Sequence, residues 1–138
     1  MVPEKLHLPK SDFERLNEAI TVAREMGDGR DIILGKLKKK LKSAEVVLSD
    51  KMPKNTVTMN SAGKLLWLDT KEVRLFWLGF PSAVDHDGNK VSVFSSLGIA
   101  LLGARVGEAT AQEVPTGHRM FKVLKLLYQP EAMRDYHL

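Results

Sequence analysis

Three acidic residues, Glu25, Asp28 and Asp31, follow one another at intervals of three around the stretch MGDGRD. Paired carboxylates at an exposed tip suit Mg²⁺, which takes few carboxylates and keeps much of its water. Turns are often acidic for a simpler reason, because Asp closes a turn against its own backbone. The spacing leaves both readings open. Close behind runs KLKKKLK, residues 36–42, with five lysines. Within it Lys36, Lys39 and Lys40 make a basic strip that is either a solvated helix face or a contact for RNA or DNA phosphates. Asp85, His86 and Asp87 read as a solvated turn, since a metal site there needs further ligands. The four histidines, His7, His86, His118 and His137, are scattered, and the chain has no cysteine. That excludes a disulfide framework, a thiolate nucleophile and a thiolate metal site. Nothing resembles a hydrolytic triad or a phosphate-cradling loop. No catalytic residue, metal or cofactor is expected, and the chain reads as a non-enzyme.

These residues need elements to position them. Residues 11–48 read as two helices. Ser11 or Asp12 is the expected cap of the first, with Glu14 in its first turn. Its apolar positions are Phe13, Leu16, Ile20 and Ala23. The second carries Leu34, Leu37, Leu41, Ala44 and Leu48, again at alternating spacings of three and four. MGDGRD is short and glycine-rich, so the arms fold back on each other as an antiparallel hairpin. With about 16 residues per arm the hairpin is roughly 25 Å long. It either projects from the rest or packs as part of a bundle; the absence of a third helix of similar length favours projection. Gly35 weakens the second arm by about 1 kcal/mol relative to alanine.

After Pro53 the pattern changes to short runs rich in Val, Thr and aromatics. TVTMN alternates like a strand. KLLWLD and VRLFWLGF are apolar on both faces, as in strands covered on both sides, with residues 69–72 turning between them. VSVF is a further strand. ATAQEVP and HRMFKVLKLLYQP form a last hairpin with Thr116-Gly117 at its tip. One helix interrupts them: Ser95 caps it and Gly103 stops it. The fold class is α+β, with a helical hairpin over residues 1–50 and an antiparallel β-sheet domain with one short helix over residues 51–138.

The whole chain is consistent with this. It has 138 residues, of which 43% are hydrophobic and 28% charged, enough for one compact core. Its net charge of +4 is mild and fits contact with nucleic acid or an acidic protein. The N-terminal residues carry charges where a signal peptide needs an apolar stretch, and no run is long enough to span a membrane. The expectation is a cytoplasmic monomer without membrane contact.

Four separated blocks, MPKNTVTMNS (52–61), LGIALLGARVGE (97–108), VPTG (114–117) and YQPEA (128–132), carry a family resemblance. In that order, behind a helical hairpin, they resemble the bacterial Gre family of transcription factors. The match is nearest to its Rnk branch, regulators of nucleoside diphosphate kinase. The resemblance implies a short N-terminal coiled coil joined to an FKBP-like domain, and binding to RNA polymerase with the hairpin in its secondary channel. It implies that the turn at Ser92, Phe94, Ser95 and Ser96 grips polymerase. It also puts Asp28 and Asp31 where cleavage-stimulating relatives carry the acidic pair that helps hold the polymerase Mg²⁺. Two departures stand out. Cleavage factors read serine, any residue, aspartate, serine, proline at the entrance to the short helix; here Phe94 replaces the aspartate and Ser96 the proline. The hairpin is also short for reaching an active centre. The expected function is a non-enzymatic polymerase-binding regulator that competes with Gre-type factors and is linked to regulation of nucleoside diphosphate kinase. The alternatives are a transcript-cleavage factor working through the tip acids and a general nucleic-acid binder working through the lysine strip. Nascent RNA or DNA is then a further partner.

Overall fold

The computed structural model describes residues 6–27, 29–81 and 88–134. Asp28, Asp85, His86, Asp87 and His137 lie outside them.

Strand β1 (His7–Pro9) leads directly into helix α1 (Lys10–Met26), which buries Leu16, Ile20 and Ala23 on one face. Asp12 is not the cap expected from the sequence. The helix starts earlier, after Pro9. Proline's fixed φ suits that entry, and it leaves Asp12 inside the first turn, turned inward and 1% exposed. Gly27 ends α1 in the left-handed conformation, φ 63°, and donates its N–H to the Arg24 carbonyl. That is a glycine C-cap.

Helix α2 (Asp31–Lys42) buries Leu34, Leu37 and Leu41. It stops at Ser43 instead of running on to Leu48. Residues Glu45–Val47 form β2, which pairs in parallel with β1, and the Glu45 N–H is taken by the Leu6 carbonyl at 2.7 Å. The β-branched pair Val46-Val47 favours this extended form. Leu48 is consequently off the stripe and 61% exposed.

The second half forms one five-stranded sheet in the order β5-β4-β3-β7-β6, from β3 (Ala62–Trp67), β4 (Val73–Gly79), β5 (Lys90–Ser92), β6 (Ala109–Val114) and β7 (Gly117–Tyr128). All neighbours are antiparallel except β4 and β5, so the sheet is mixed rather than purely antiparallel. Helix α3 (Ser96–Leu101) follows β5. TVTMN is no strand. Thr56 makes one bridge to Arg105, the Val57 N–H goes to the Ala104 carbonyl, and Ser61 closes a turn on the Thr58 carbonyl. Nor are β3 and β4 covered on both sides. Leu65, Trp67, Phe76 and Leu78 face the core, whereas Leu75 is 43% and Val73 57% exposed.

The hairpin lies along the sheet domain instead of projecting. From tip to base α2 is tied to the second half. Arg30 sits 5.9 Å from the Phe94 ring centroid, Lys36 pairs with Glu113 of β6 at 2.6 Å, and the Lys40 ammonium donates to the Ile99 carbonyl of α3. Its leucines belong to the same buried cluster as Val57, Phe76 and Leu101. A two-helix arm standing in water has no such partners for its flank. Replacing a core leucine by alanine typically costs about 2–5 kcal/mol. Leu37→Ala is therefore expected to lower stability by about that much in urea unfolding while keeping one cooperative transition. A separate early transition for the hairpin, with the sheet's midpoint unmoved, would contradict the shared core.

Candidate functional site

The turn from β5 into α3 is built by serine side chains. Ser95 is the N-cap of α3: its Oγ accepts from the Gly98 N–H at 3.0 Å and donates to the Ser92 carbonyl at 2.6 Å. Ser92 Oγ accepts from the Phe94 N–H at 3.1 Å. Ser96 Oγ accepts from Gln112 Nε2 of β6 at 2.9 Å. Gly98 lets the helix sit this close, since a Cβ there would stand 1.9 Å from the Ser92 carbonyl oxygen. The serine hydroxyls expected to grip a partner thus each make a bond inside the chain. Phe94 is half-buried against the core, with Arg30 of the hairpin over its ring. An arginine over an aromatic face is attractive by about 0.5–1 kcal/mol when exposed.

The structure brings the hairpin tip close to this turn through Arg30. Glu25 and Asp31 are both exposed, and Asp28 is outside the described residues. Among the described residues no group of three or more His, Asp or Glu side chains could hold a metal ion. The basic strip does not form one free face. Lys39 is exposed, Lys36 holds Glu113, and Lys40 lies over α3. The Lys36 ammonium draws the Glu113 carboxyl below its usual range, and burial pushes the Lys40 ammonium down to about 8.

A second polar group, not singled out from the sequence, lies beneath the hairpin. Asp12 Oδ2 accepts from the Met59 N–H at 2.9 Å. Thr58 donates its hydroxyl to Glu131 Oε1 at 2.6 Å, and Ser61 Oγ accepts from the Thr58 N–H at 2.9 Å. Gln129 Nε2 donates to the Pro53 carbonyl at 2.8 Å and to the Thr56 carbonyl at 2.5 Å. The group joins α1, residues 53–61 and residues 129–131. One signal for it is present in the chain: Asp12 stands four before Leu16, on the apolar stripe of its helix.

The family described as transcription elongation factor GreA/GreB, C-terminal, matches residues 52–128, more than half of the chain. This chain belongs to that GreA/GreB family. The regulator of nucleoside diphosphate kinase of Escherichia coli (strain K12) is 40% identical to it over 103 residues, 74% of this chain and 76% of that protein. Transcription elongation factor GreA of Beijerinckia indica subsp. indica is 27% identical over 107 residues, 78% of this chain and 66% of that one. A GreA/GreB prokaryotic transcription elongation factor from Nitrosomonas europaea has the same fold. It superposes with a TM-score of 0.71 at 27% identity, over 91% of this chain and all of that one. These relatives carry the names of regulators and elongation factors, not of catalytic enzymes. The GreA/GreB match takes in Thr58, Ser61, the serine-built turn and Gly98, while Asp12, Gln129 and Glu131 lie outside it. No described helix is long and apolar enough to cross a membrane.

The buried acids make stability depend on pH. Burial, first of all, pushes the Asp12 carboxyl up to about 7; Glu131 adds to the rise, while the Met59 N–H and Arg15 oppose it. Burial also raises Glu131, against the Thr58 hydroxyl. A folded-state pKa above the unfolded value means that the folded chain binds the extra proton. Asp12 therefore contributes stability that is complete below its unfolded value of 3.8 and is lost as pH rises through about 7. The urea midpoint is expected to fall between about pH 4 and pH 8. Asp12→Asn, which keeps an acceptor for the Met59 N–H, should remove most of that fall and leave the part due to Glu131. Parallel pH profiles of the two proteins would contradict this role.

Proposed function

We propose that this chain is a non-enzymatic regulator of transcription that binds RNA polymerase at its secondary channel and competes there with longer Gre-type factors. Membership of the GreA/GreB family supports a polymerase partner. The observation that carries the non-cleaving reading is the contact of Arg30 with Phe94. It ties the hairpin tip to the docking turn instead of extending it toward a distant metal. The arms, 17 and 12 residues long, measure only about 26 and 18 Å. A catalytic Mg²⁺ ligand must come within about 2.1 Å of the ion, so a tip that stops short contributes nothing to cleavage.

In this reading residues 51–138 dock through the surface around Ser92, Phe94, Ser95 and Ser96, and residues 1–50 fill the channel mouth. Ser95 Oγ both donates and accepts inside the chain, Ser92 Oγ and Ser96 Oγ only accept and keep an O–H to donate, and the half-buried Phe94 ring supplies the apolar part of the contact. Aromatic anchors of this kind carry much of the energy in small interfaces. The protein acts in the cytoplasm as a monomer, with any contact to nascent RNA secondary to the contact with polymerase. The name of the Escherichia coli relative supports a regulatory link to nucleoside diphosphate kinase.

Co-purification with core polymerase tests the reading. Binding at micromolar concentration is expected, displaced by an added GreA protein and weakened about tenfold or more by Phe94→Ser. Asp31→Asn should leave binding unchanged, and backtracked RNA in stalled complexes should stay intact with the wild-type protein. Absence of binding would reject the polymerase reading. Mg²⁺-dependent cleavage lost in Asp31→Asn would replace it with that of a cleavage factor.

A further inference from the structure

Helix α2 does not close fully on α3 and β6. Between them lies an open groove of about 710 Å³, within the size range of small-molecule sites, about 300–1,000 Å³. Ile33, Ile99, Ala100 and Ala111 give it an apolar lining. Lys36, Lys39, Lys40 and Lys42 line it as well, against the single carboxylate of Glu113. The four lysines lie within two turns of one helix, a span of about 9 Å. That concentrates positive charge at one place beside an apolar wall.

We propose that this groove binds a small molecule carrying several phosphates and a flat apolar body, the chemistry of a nucleoside polyphosphate. The charge balance selects the multiple anion, since a monocarboxylate would leave most of the lysine charge unmatched. The apolar wall selects the body, since inorganic phosphate would leave it in water. The compactness of the lysine group selects a short phosphate chain over an RNA strand, whose phosphates spread along a longer track. Lys40 gives the site its depth. Its ammonium is desolvated over α3 and bonded there to one carbonyl oxygen, and an ammonium has three donors. A bound phosphate would restore part of the solvation that burial removes. The titratable groups that line the groove with Lys40 are the lysines of its own helix and Glu113 of β6, which His118 of β7 adjoins, and α3 contributes no titratable side chain.

Calorimetric titration of the full chain with ATP, ADP, tripolyphosphate and adenosine tests the proposal, with ¹H–¹⁵N NMR to locate the site. ATP is expected to bind with a Kd of about 100 µM or tighter at low salt. ADP should be several-fold weaker, tripolyphosphate about tenfold weaker, and adenosine undetectable. Amide shifts should cluster at Ile33, Ser43, Ile99, Ala100 and Ala111. Lys39→Ala and Lys42→Ala each remove an exposed side chain and should weaken ATP about fivefold. Ala111→Glu, at an exposed strand position, should abolish binding. At pH 8.5, above the value of about 8 for Lys40, binding should take up protons, read from titrations in two buffers of different ionisation enthalpy. Three outcomes would overturn the proposal. One is no ATP binding at millimolar concentration. Another is equal affinity for ATP and tripolyphosphate. The third is a short single-stranded RNA that binds more tightly than ATP and shifts the same resonances. None of these depends on whether the chain binds polymerase.

Discussion

Asp12 points inward from a helix face that is otherwise apolar and accepts the Met59 backbone N–H, 2.9 Å away. That contact ties the base of the hairpin to residues 53–61, while the second arm is tied separately through its leucines and its basic flank. Residues 53–61 form neither helix nor sheet, so their polar groups need partners elsewhere, and a buried polar group left alone costs about 1–3 kcal/mol. The hairpin supplies one partner through Asp12. The C-terminal turn supplies others through Gln129 and Glu131. The irregular segment is thus held from two sides by ends of the chain far from it in sequence. The satisfaction is almost complete among the described residues; Gln129 Oε1 is the one buried side-chain atom left without a bond.

Helix α2 mediates between the two halves in a different way. Its leucines face the core shared with α1, while its flank meets the second half through Arg30, Lys36 and Lys40. These three contacts use the same chemistry at graded depth. The guanidinium lies over a ring, the exposed ammonium pairs with a carboxylate, and the desolvated ammonium bonds a helix carbonyl. Long basic side chains can do this because their methylene stems cover apolar surface while the charged end finds its own partner. Exposed ion pairs add little stability. The leucine stripe therefore supplies the energy, and the basic flank adds three specific contacts along the second arm.

Much of the fold was legible because local rules operate there without competition. The stripe of Leu34, Leu37 and Leu41 and the Ser95 cap each follow from a few neighbouring residues and are found, and the last hairpin is found with its turn one residue earlier than expected, at Pro115-Thr116, since Gly117 already pairs with Val114. The failures share a cause. TVTMN alternates like a strand, but Thr58 and Ser61 bond each other and reach Glu131, 73 residues away from Thr58. Ala44 and Leu48 continue the helical stripe in the sequence, yet the N-terminal segment captures residues 45–47 as a strand partner. The basic strip shows only its composition in the sequence; which lysine meets Glu113 and which meets α3 depends on how α2 lies. The candidate docking turn was legible as a location through its family resemblance. Its internal hydrogen bonding was not, because Gln112 comes from another strand.

The parallel pairing of β1 with β2 has a consequence for how this architecture can vary. It holds the point where the hairpin leaves, Pro9, and the point where it rejoins, Glu45, about 8 Å apart, one strand spacing across and two residues along the ladder. Whatever lies between them begins and ends at a fixed clasp. Paired helical turns added or removed at the tip leave the clasp, the sheet and the Asp12 contact untouched. Reach is then an adjustable quantity and the platform a constant one. A family built this way can diversify by adding helical turns beyond the tip, where they need no place in the shared core.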